Sequence, residues 1–278
     1  MKIALTGGTG RVGSRVLPRL IDRYGSVRVL VRSEDSARAV ATLGATPVLG
    51  DLGDLGDPAA LLDGADVLVH MAAALRTDMP GEHERVNVRG TGALGAAAAS
   101  AGVGRVVHLS TNLVYPGGLG RPATEDDPPK PEPVWGEYAR TKAQGERKLM
   151  ECGLDLIILR LAFVYGEDDP HLRESLRWAA RWPSYHRLQL VHHTDVAQAV
   201  GLAIESPAAG SRTYNVADLA PVSAVELHQL TGTPFPAAWS TAEADLWHGI
   251  VSTNRIRTEL DFHPRYPSAW TAYHDSAL

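Results

Sequence analysis

Lys2-Ile3-Ala4-Leu5-Thr6-Gly7-Gly8-Thr9-Gly10-Arg11-Val12-Gly13 opens the chain with an apolar run that meets a glycine-rich turn. Glycines at 7, 10 and 13 allow a tight turn, a stretch of backbone without Cβ where a pyrophosphate can approach, and close contact between helix and strand. The free N–H groups at the start of the next helix, and its dipole, favour negative charge. One glycine turn is weak evidence, because many strand-to-helix turns need a glycine. Here Val12, Val16, Leu17, Leu20 and Ile21 follow at helical spacing, which is the context a dinucleotide-binding turn requires. Gly7, Thr9, Gly10, Arg11 and Val12 are the first candidate cofactor ligands.

Outward from that turn, apolar runs at 2–6, 27–31, 46–49, 67–71, 105–110 and 156–160 alternate with helical stretches at 11–23, 35–43, 57–63, 82–101 and 136–151. The strand runs are continuous in Val, Ile and Leu, so both faces are covered and the sheet is parallel. The expected fold is α/β, a doubly wound parallel sheet of the Rossmann type. Residues 1–160 form its dinucleotide-binding core. After residue 160 the pattern loosens into helices near 171–180, 194–205 and 223–230, a short strand at 212–216 and proline-rich connections. That predicts a smaller, mostly helical substrate-binding region over 161–278, lying on the carboxyl ends of the strands, with part of the chain returning to the core.

Composition narrows the partners. Hydrophobic residues make up 44% and charged residues 21% of the 278 positions, ordinary values for a globular protein. A net charge of −5 gives no reason to expect nucleic acid or a membrane surface, and leaves a small-molecule substrate. The single cysteine, Cys152, excludes an internal disulfide and reads as a small buried residue rather than a nucleophile. With a strand starting at residue 2 and no apolar stretch of spanning length, a cytoplasmic protein without a signal peptide is expected.

The end of the second strand decides between nicotinamide cofactors. An acidic residue there would accept hydrogen bonds from the ribose 2′-hydroxyl and repel a 2′-phosphate. Val29-Leu30-Val31 runs instead into Arg32-Ser33, a guanidinium and a hydroxyl that both bind phosphate oxygens, so NADP(H) is favoured over NAD(H). A surface arginine ending a strand is the plainer alternative. Asp51-Leu52, after the third strand, stands where a carboxylate meets an adenine amine, or where a turn needs an aspartate. Ala72-Ala73-Ala74, after the fourth, places small residues beneath a cofactor, or simply packs.

Tyr138-Ala-Arg-Thr-Lys142 sets a phenol and an ammonium four residues apart on one helix face. A lysine beside a tyrosine favours the phenolate, which brings proton exchange toward neutral pH. Upstream, Val106-Val107-His108-Leu109 runs into Ser110-Thr111, placing a hydroxyl at the carboxyl end of the fifth strand, facing the same crevice.

With these segments the chain resembles the extended short-chain dehydrogenase/reductase family, whose best-known members are nucleotide-sugar epimerases and dehydratases. The resemblance covers nearly the whole chain. It includes Thr6–Gly13, His70-Met-Ala-Ala73, Val86-Asn87-Val-Arg-Gly-Thr91, Ser110-Thr111 before Val114-Tyr115, Tyr138–Lys142, Leu159-Arg160 before Val164-Tyr165-Gly166, His192-His-Thr-Asp195 and Glu259-Leu-Asp-Phe-His-Pro264. It implies that Tyr138 is the general acid/base, that Lys142 binds the nicotinamide ribose and tunes Tyr138, that Thr111 polarises the substrate oxygen, and that Asn87 is structural. Relatives dimerise through the helices corresponding to 82–101 and 136–151, so a monomer and a homodimer both stay open.

Two departures bear on the substrate. Phe163 stands where the sugar-nucleotide epimerases place an asparagine, and Leu188, beside Arg187, where they place a diphosphate-gripping arginine. Losing an amide and a guanidinium disfavours an anionic substrate. Ala74, Leu113, Tyr115, Trp135, Phe163 and Trp182 are the expected substrate contacts. Trp178, Trp239 and Trp247 also fall in segments near the crevice, with core packing the alternative for each tryptophan. His192 and His193 with Asp195 fit no common zinc spacing, and Asp195 reads as a helix N-cap, so no metal is expected. The function expected from all this is NADPH-dependent reduction of a bulky, largely apolar or aromatic ketone. A nucleotide-sugar epimerase, dehydratase or reductase is the alternative, and a non-catalytic dinucleotide-binding regulator the more distant one.

Overall fold

The computed structural model describes residues 1–207 and 210–278. Its first half alternates β1 (Lys2–Thr6), α1 (Gly13–Tyr24), β2 (Ser26–Val31), α2 (Glu34–Thr42), β3 (Thr46–Leu49), α3 (Ala59–Leu62) and β4 (Val67–His70). A π-helical turn, Glu84–Gly90, then runs into α4 (Thr91–Ser100), followed by β5 (Arg105–Thr111), α5 (Gly136–Met150) and β6 (Leu156–Leu161). Beyond lie β7 (Phe163–Tyr165), α6 (His171–Ala179), β8 (Arg187–Leu188), β9 (Leu190–His192), α7 (His193–Glu205), β10 (Arg212–Val216), β11 (Val222–Ser223), α8 (Ala224–Thr231), α9 (Asn254–Leu260) and α10 (Ala269–His274).

Seven strands pair in the order β3-β2-β1-β4-β5-β6-β10, every ladder parallel. The strand order reverses between β1 and β4, and a ligand of such a sheet binds in the crevice outside the carboxyl ends at that point. Alternate side chains build two apolar layers. Ile3, Leu5, Val67 and Val69 join Val16, Leu17, Val196 and Ala199 on the face covered by α1 and α7. Ala4 and Leu68 join Leu61, Leu94 and Leu149 on the face covered by α3, α4 and α5. A third cluster around Tyr165, Leu172, Leu190, Leu227, Tyr266 and Ala269 is the core of a smaller lobe.

The chain after residue 160 therefore serves both parts. α7 packs on α1 and β10 extends the main sheet beyond β6, whereas α6, α8 and α10 belong to the lobe. Short elements depart from the sequence reading. The helix expected at 82–101 begins as a π-turn, where Gly90 and Gly145 let backbones touch: a Cβ on either would lie 2.3 Å from the Leu52 carbonyl oxygen or 2.4 Å from that of Asn87. Among the described residues no helix is long and apolar enough to cross a membrane.

Candidate active site

The glycine turn is shaped by contact. Gly7 has φ +77°, and a Cβ there would lie 2.5 Å from the Ala72 nitrogen. A Cβ on Gly13 would lie 2.0 Å from the Gly7 carbonyl oxygen, so α1 starts directly against the turn. The turn is closed by Gly10 N–H donating to the Gly7 carbonyl at 3.0 Å. α1 opens with neither a side-chain cap nor an acidic residue in its first turn. Such a start is open to an anion, and a dinucleotide pyrophosphate fits it. Thr9 and Gly10 are exposed there, with Val12 half-buried beside them.

The Arg11 guanidinium bridges from the turn to the lobe, 3.2 Å from Asp169 and 2.8 Å from Glu174. Glu174 also takes Arg76 at 2.6 Å, and Asp169 takes His193 at 3.0 Å. These hydrogen bonds, first Arg11 and then Arg76, hold Glu174 down to about 2.

At the other end of the crevice Arg32 is exposed and makes no ion pair among the described residues. Ser33 is the N-cap of α2, its hydroxyl accepting from Ser36 N–H at 3.2 Å, so that lone pair is already engaged. Asp51 is partly buried, which raises its pKa, but the Gly53 amide at 2.9 Å and the Arg85 guanidinium at 3.1 Å outweigh burial and hold it below the usual carboxylate range. Arg85 also pairs with Glu82 at 2.7 Å. Sequence reasoning missed this trio, since no spacing rule links residues 51 and 85. Leu52 turns its side chain into the core beside α3, and its carbonyl oxygen lies against Gly90.

The alanines after β4 are fixed from behind. Ala72 N–H donates to Thr6 Oγ1 at 3.3 Å. Asn87 clamps Ala74 on both sides, accepting from its N–H at 2.8 Å and donating to its carbonyl at 2.9 Å, and reaches Thr141 on α5 at 3.1 Å. Ala73 between them is exposed.

Thr111 closes β5, its Oγ1 accepting from Leu113 N–H at 3.3 Å. Tyr138 and Lys142 sit one turn apart on α5, yet the ammonium turns to β5. Lys142 Nζ donates to the Leu109 carbonyl at 2.7 Å and lies 3.1 Å from His108 Nε2. Burial pushes Tyr138 up to about 12, with no lysine drawing it back. The same desolvation lowers Lys142 to about 8, opposed by Glu146. The expected lowering of the phenol by its neighbour is therefore absent from this arrangement.

Behind Thr111 a buried polar network stiffens the sheet end. Ser110 donates to Glu146, which also accepts from Arg160 at 2.7 Å. The Arg160 guanidinium lies 4.7 Å from the Tyr115 ring centre, and the Tyr115 hydroxyl donates to Asn215 at 2.8 Å. Tyr115 is a buried part of this network, its hydroxyl engaged by Asn215, and it also lines the recess that holds Leu113 and Trp135.

On the substrate side Leu113, Trp135, Trp247 and His248 line a recess next to Asn112. Trp135 stacks on His248 at 5.0 Å, His248 meets His186 at 6.2 Å and His186 meets Trp182 at 4.4 Å, forming one aromatic row. Phe163 stands apart from it, stacked on His171 at 3.9 Å. Arg187 lies 5.0 Å from the Trp247 ring centre and donates to the Leu246 carbonyl at 2.7 Å, while Leu188 packs into the lobe. Trp178 lies at the rim beside Arg76 and Arg177, and Trp239 packs on His228 and Phe235. The N-cap of α7 is His192; Asp195 is buried and accepts from the Arg265 and Tyr266 amides, correcting its reading as a cap. Cys152 is half-buried with its thiol toward the Lys148 carbonyl.

A family model described as the NAD dependent epimerase/dehydratase family matches residues 3–217. Among curated proteins, a 4-hydroxy-2-methyl-3-oxo-4-farnesyl-3,4-dihydroquinoline-1-oxide ketoreductase from Stigmatella aurantiaca is 34% identical, over 92% of this chain and 83% of its own. A 2-alkyl-3-oxoalkanoate reductase from Stenotrophomonas maltophilia is 32% identical, over 69% of this chain and 58% of its own. The solved structure of DesIV, a dTDP-glucose 4,6-dehydratase from Streptomyces venezuelae with NAD bound, superposes with a TM-score of 0.79 at 26% identity, covering 99% of this chain and 95% of that one.

Proposed function

The chain belongs to the NAD-dependent epimerase/dehydratase family, the extended short-chain dehydrogenases/reductases, and is an NAD(P)-dependent enzyme; on that premise we propose that it is an NADPH-dependent ketoreductase acting on a bulky, largely apolar or aromatic ketone. The observation that carries the substrate class is the aromatic row Trp135–His248–His186–Trp182 beside Leu113, with Arg187 engaged by Trp247 and Leu246. A wall of that kind rewards flat apolar surface and offers little to a diphosphate. Two named relatives support the chemistry, since by their printed names one is a ketoreductase of a farnesyl-bearing quinoline oxide and the other a reductase of 2-alkyl-3-oxoalkanoates.

In this reading the Gly7–Gly13 turn and the start of α1 hold the pyrophosphate, Arg32 takes the 2′-phosphate, and Lys142 hydrogen-bonds the nicotinamide ribose. Arg32 is the reason for preferring NADPH, because it is a cation without an ion pair among the described residues at the end of β2. The bound cofactor supplies the hydride. Tyr138 is fully protonated at neutral pH, given a pKa pushed up to about 12, and donates its proton to the carbonyl oxygen. The Thr111 hydroxyl hydrogen-bonds the same oxygen and stabilises the developing alkoxide charge.

A nucleotide-sugar dehydratase or epimerase is the second reading, favoured by the likeness to DesIV over nearly the whole chain. Calorimetric titration with NADPH and NADH, followed by polycyclic aromatic ketones, UDP-glucose and dTDP-glucose, separates the two. Loss of reduced-nicotinamide absorbance with ketones alone supports ketoreduction. Tight binding of a nucleotide sugar without such loss would replace it with the second reading.

A further inference from the structure

His108 lies on β5 three residues before Thr111, buried at 1% exposure. Its Nε2 is 3.1 Å from Lys142 Nζ, and its Nδ1 is fully buried. Its ring stacks on His70 with centroids 4.8 Å apart and planes 29° apart. His70 is itself held at both nitrogens, by Thr6 Oγ1 at 2.7 Å and Thr91 Oγ1 at 3.0 Å. The His108 ring is thus fixed from behind by a second ring that cannot turn.

Burial, and then the nearby lysine, push His108 well below the ordinary imidazole range, so it is neutral at neutral pH. A neutral imidazole has one donor and one acceptor nitrogen. Facing an ammonium, Nε2 is the acceptor, which assigns the ring proton to Nδ1. The Leu109 carbonyl, 2.7 Å away, is the second acceptor. Two of the three ammonium N–H groups are therefore directed into β5, which leaves one for a ligand in the crevice.

We infer that His108 is a positioning residue for Lys142, its Nε2 and the Leu109 carbonyl together fixing the ammonium so that a single N–H is presented to the cofactor ribose. This rests on the reading of Lys142 as a cofactor-side group. A flexible lysine stem has several rotamers to lose on binding, and a pre-set ammonium loses fewer. The titratable groups around Lys142 are Tyr138 and Glu146 on α5, His108 on β5 and His70 behind it on β4.

The test is NADPH binding to the purified protein, followed by nicotinamide fluorescence from pH 6 to 10, which needs no ketone. His108→Phe keeps a ring against His70 and removes the acceptor; His108→Gln restores an acceptor at similar reach. At pH 7 the Phe variant is expected to raise the NADPH Kd about tenfold, and to move the alkaline loss of binding about one pH unit lower, because the ammonium has lost an acceptor. The parent loses binding near the point where Lys142, lowered to about 8, discharges, and the Gln variant is expected within about threefold of the parent with the same midpoint. The inference is overturned if Phe and Gln shift Kd and midpoint equally, or if the Phe variant lowers Tm and leaves both unchanged. Lys142→Met distinguishes the premise: parental binding and pH profile in that variant would overturn the cofactor role of Lys142 itself. A defective Lys142→Met beside a parental His108→Phe overturns the positioning role alone.

Discussion

Tyr138 and Lys142 are shifted in opposite directions by one cause, the removal of water around both. A phenol at about 12 is a proton donor through the whole physiological range, which suits reduction of a ketone. Tyr138→Phe is expected to lower kcat/KM at least about a hundredfold while leaving the NADPH Kd within about threefold, measured by absorbance kinetics and titration. Retention of most activity would mean that the substrate's own acidity stabilises its oxygen. Arg32 allows an equally local prediction. Arg32→Ala is expected to weaken NADPH about tenfold or more, with NADH changed less than about threefold, in parallel fluorescence titrations. Equal losses for both cofactors would remove the 2′-phosphate role.

Among the elements, Asn87 does the joining: from the π-turn it holds the Ala74 backbone and Thr141 of α5 at once. Asn87→Ala leaves the half-buried Ala74 N–H and carbonyl without those partners, and a loss of about 1–3 kcal/mol is expected from urea unfolding. An unchanged unfolding midpoint would show that water replaces the amide. What was legible at this scale followed periodicity. The strands of the main sheet are apolar runs between turns, and Gly7–Gly13 was readable because strand, turn and helix agree. β7, β8, β9 and β11 are two or three residues long, too short to carry a period, and they are fixed by their neighbours in the lobe. Asp195 looked like a cap because caps are read from local order, whereas its partners, Arg265 and Tyr266, come from the far end of the chain. The partners of Tyr115 and Arg11 were hidden for the same reason: Asn215, Asp169 and Glu174 are distant in sequence.

For the whole molecule, acid is the expected weakness. Burial lowers His193 to about 4, with Asp169 pulling the other way, and lowers His70 to about 3. Both folded values lie below the ordinary 6.5, so between them the unfolded chain binds more protons than the folded one. The contribution is fully present above about 6.5 and is lost as pH falls toward 4. Thermal melts are expected to show Tm falling from pH 6.5 to 5, with a shallower fall in His193→Gln. A flat Tm through that window would refute it.

β10 carries a consequence for how the protein is made. Its neighbour β6 ends at Leu161, and the strand that covers it begins at Arg212. A ribosome at about 5–20 residues per second releases β6 seconds before β10 emerges. During that interval the nascent chain exposes an unpaired strand edge, and the sheet face that α7 will cover is also bare. Half-made copies on one messenger would meet through that edge, so heat-shock chaperones that cover it should raise the yield of recombinant protein, and slowed elongation, which lengthens the interval, should lower it.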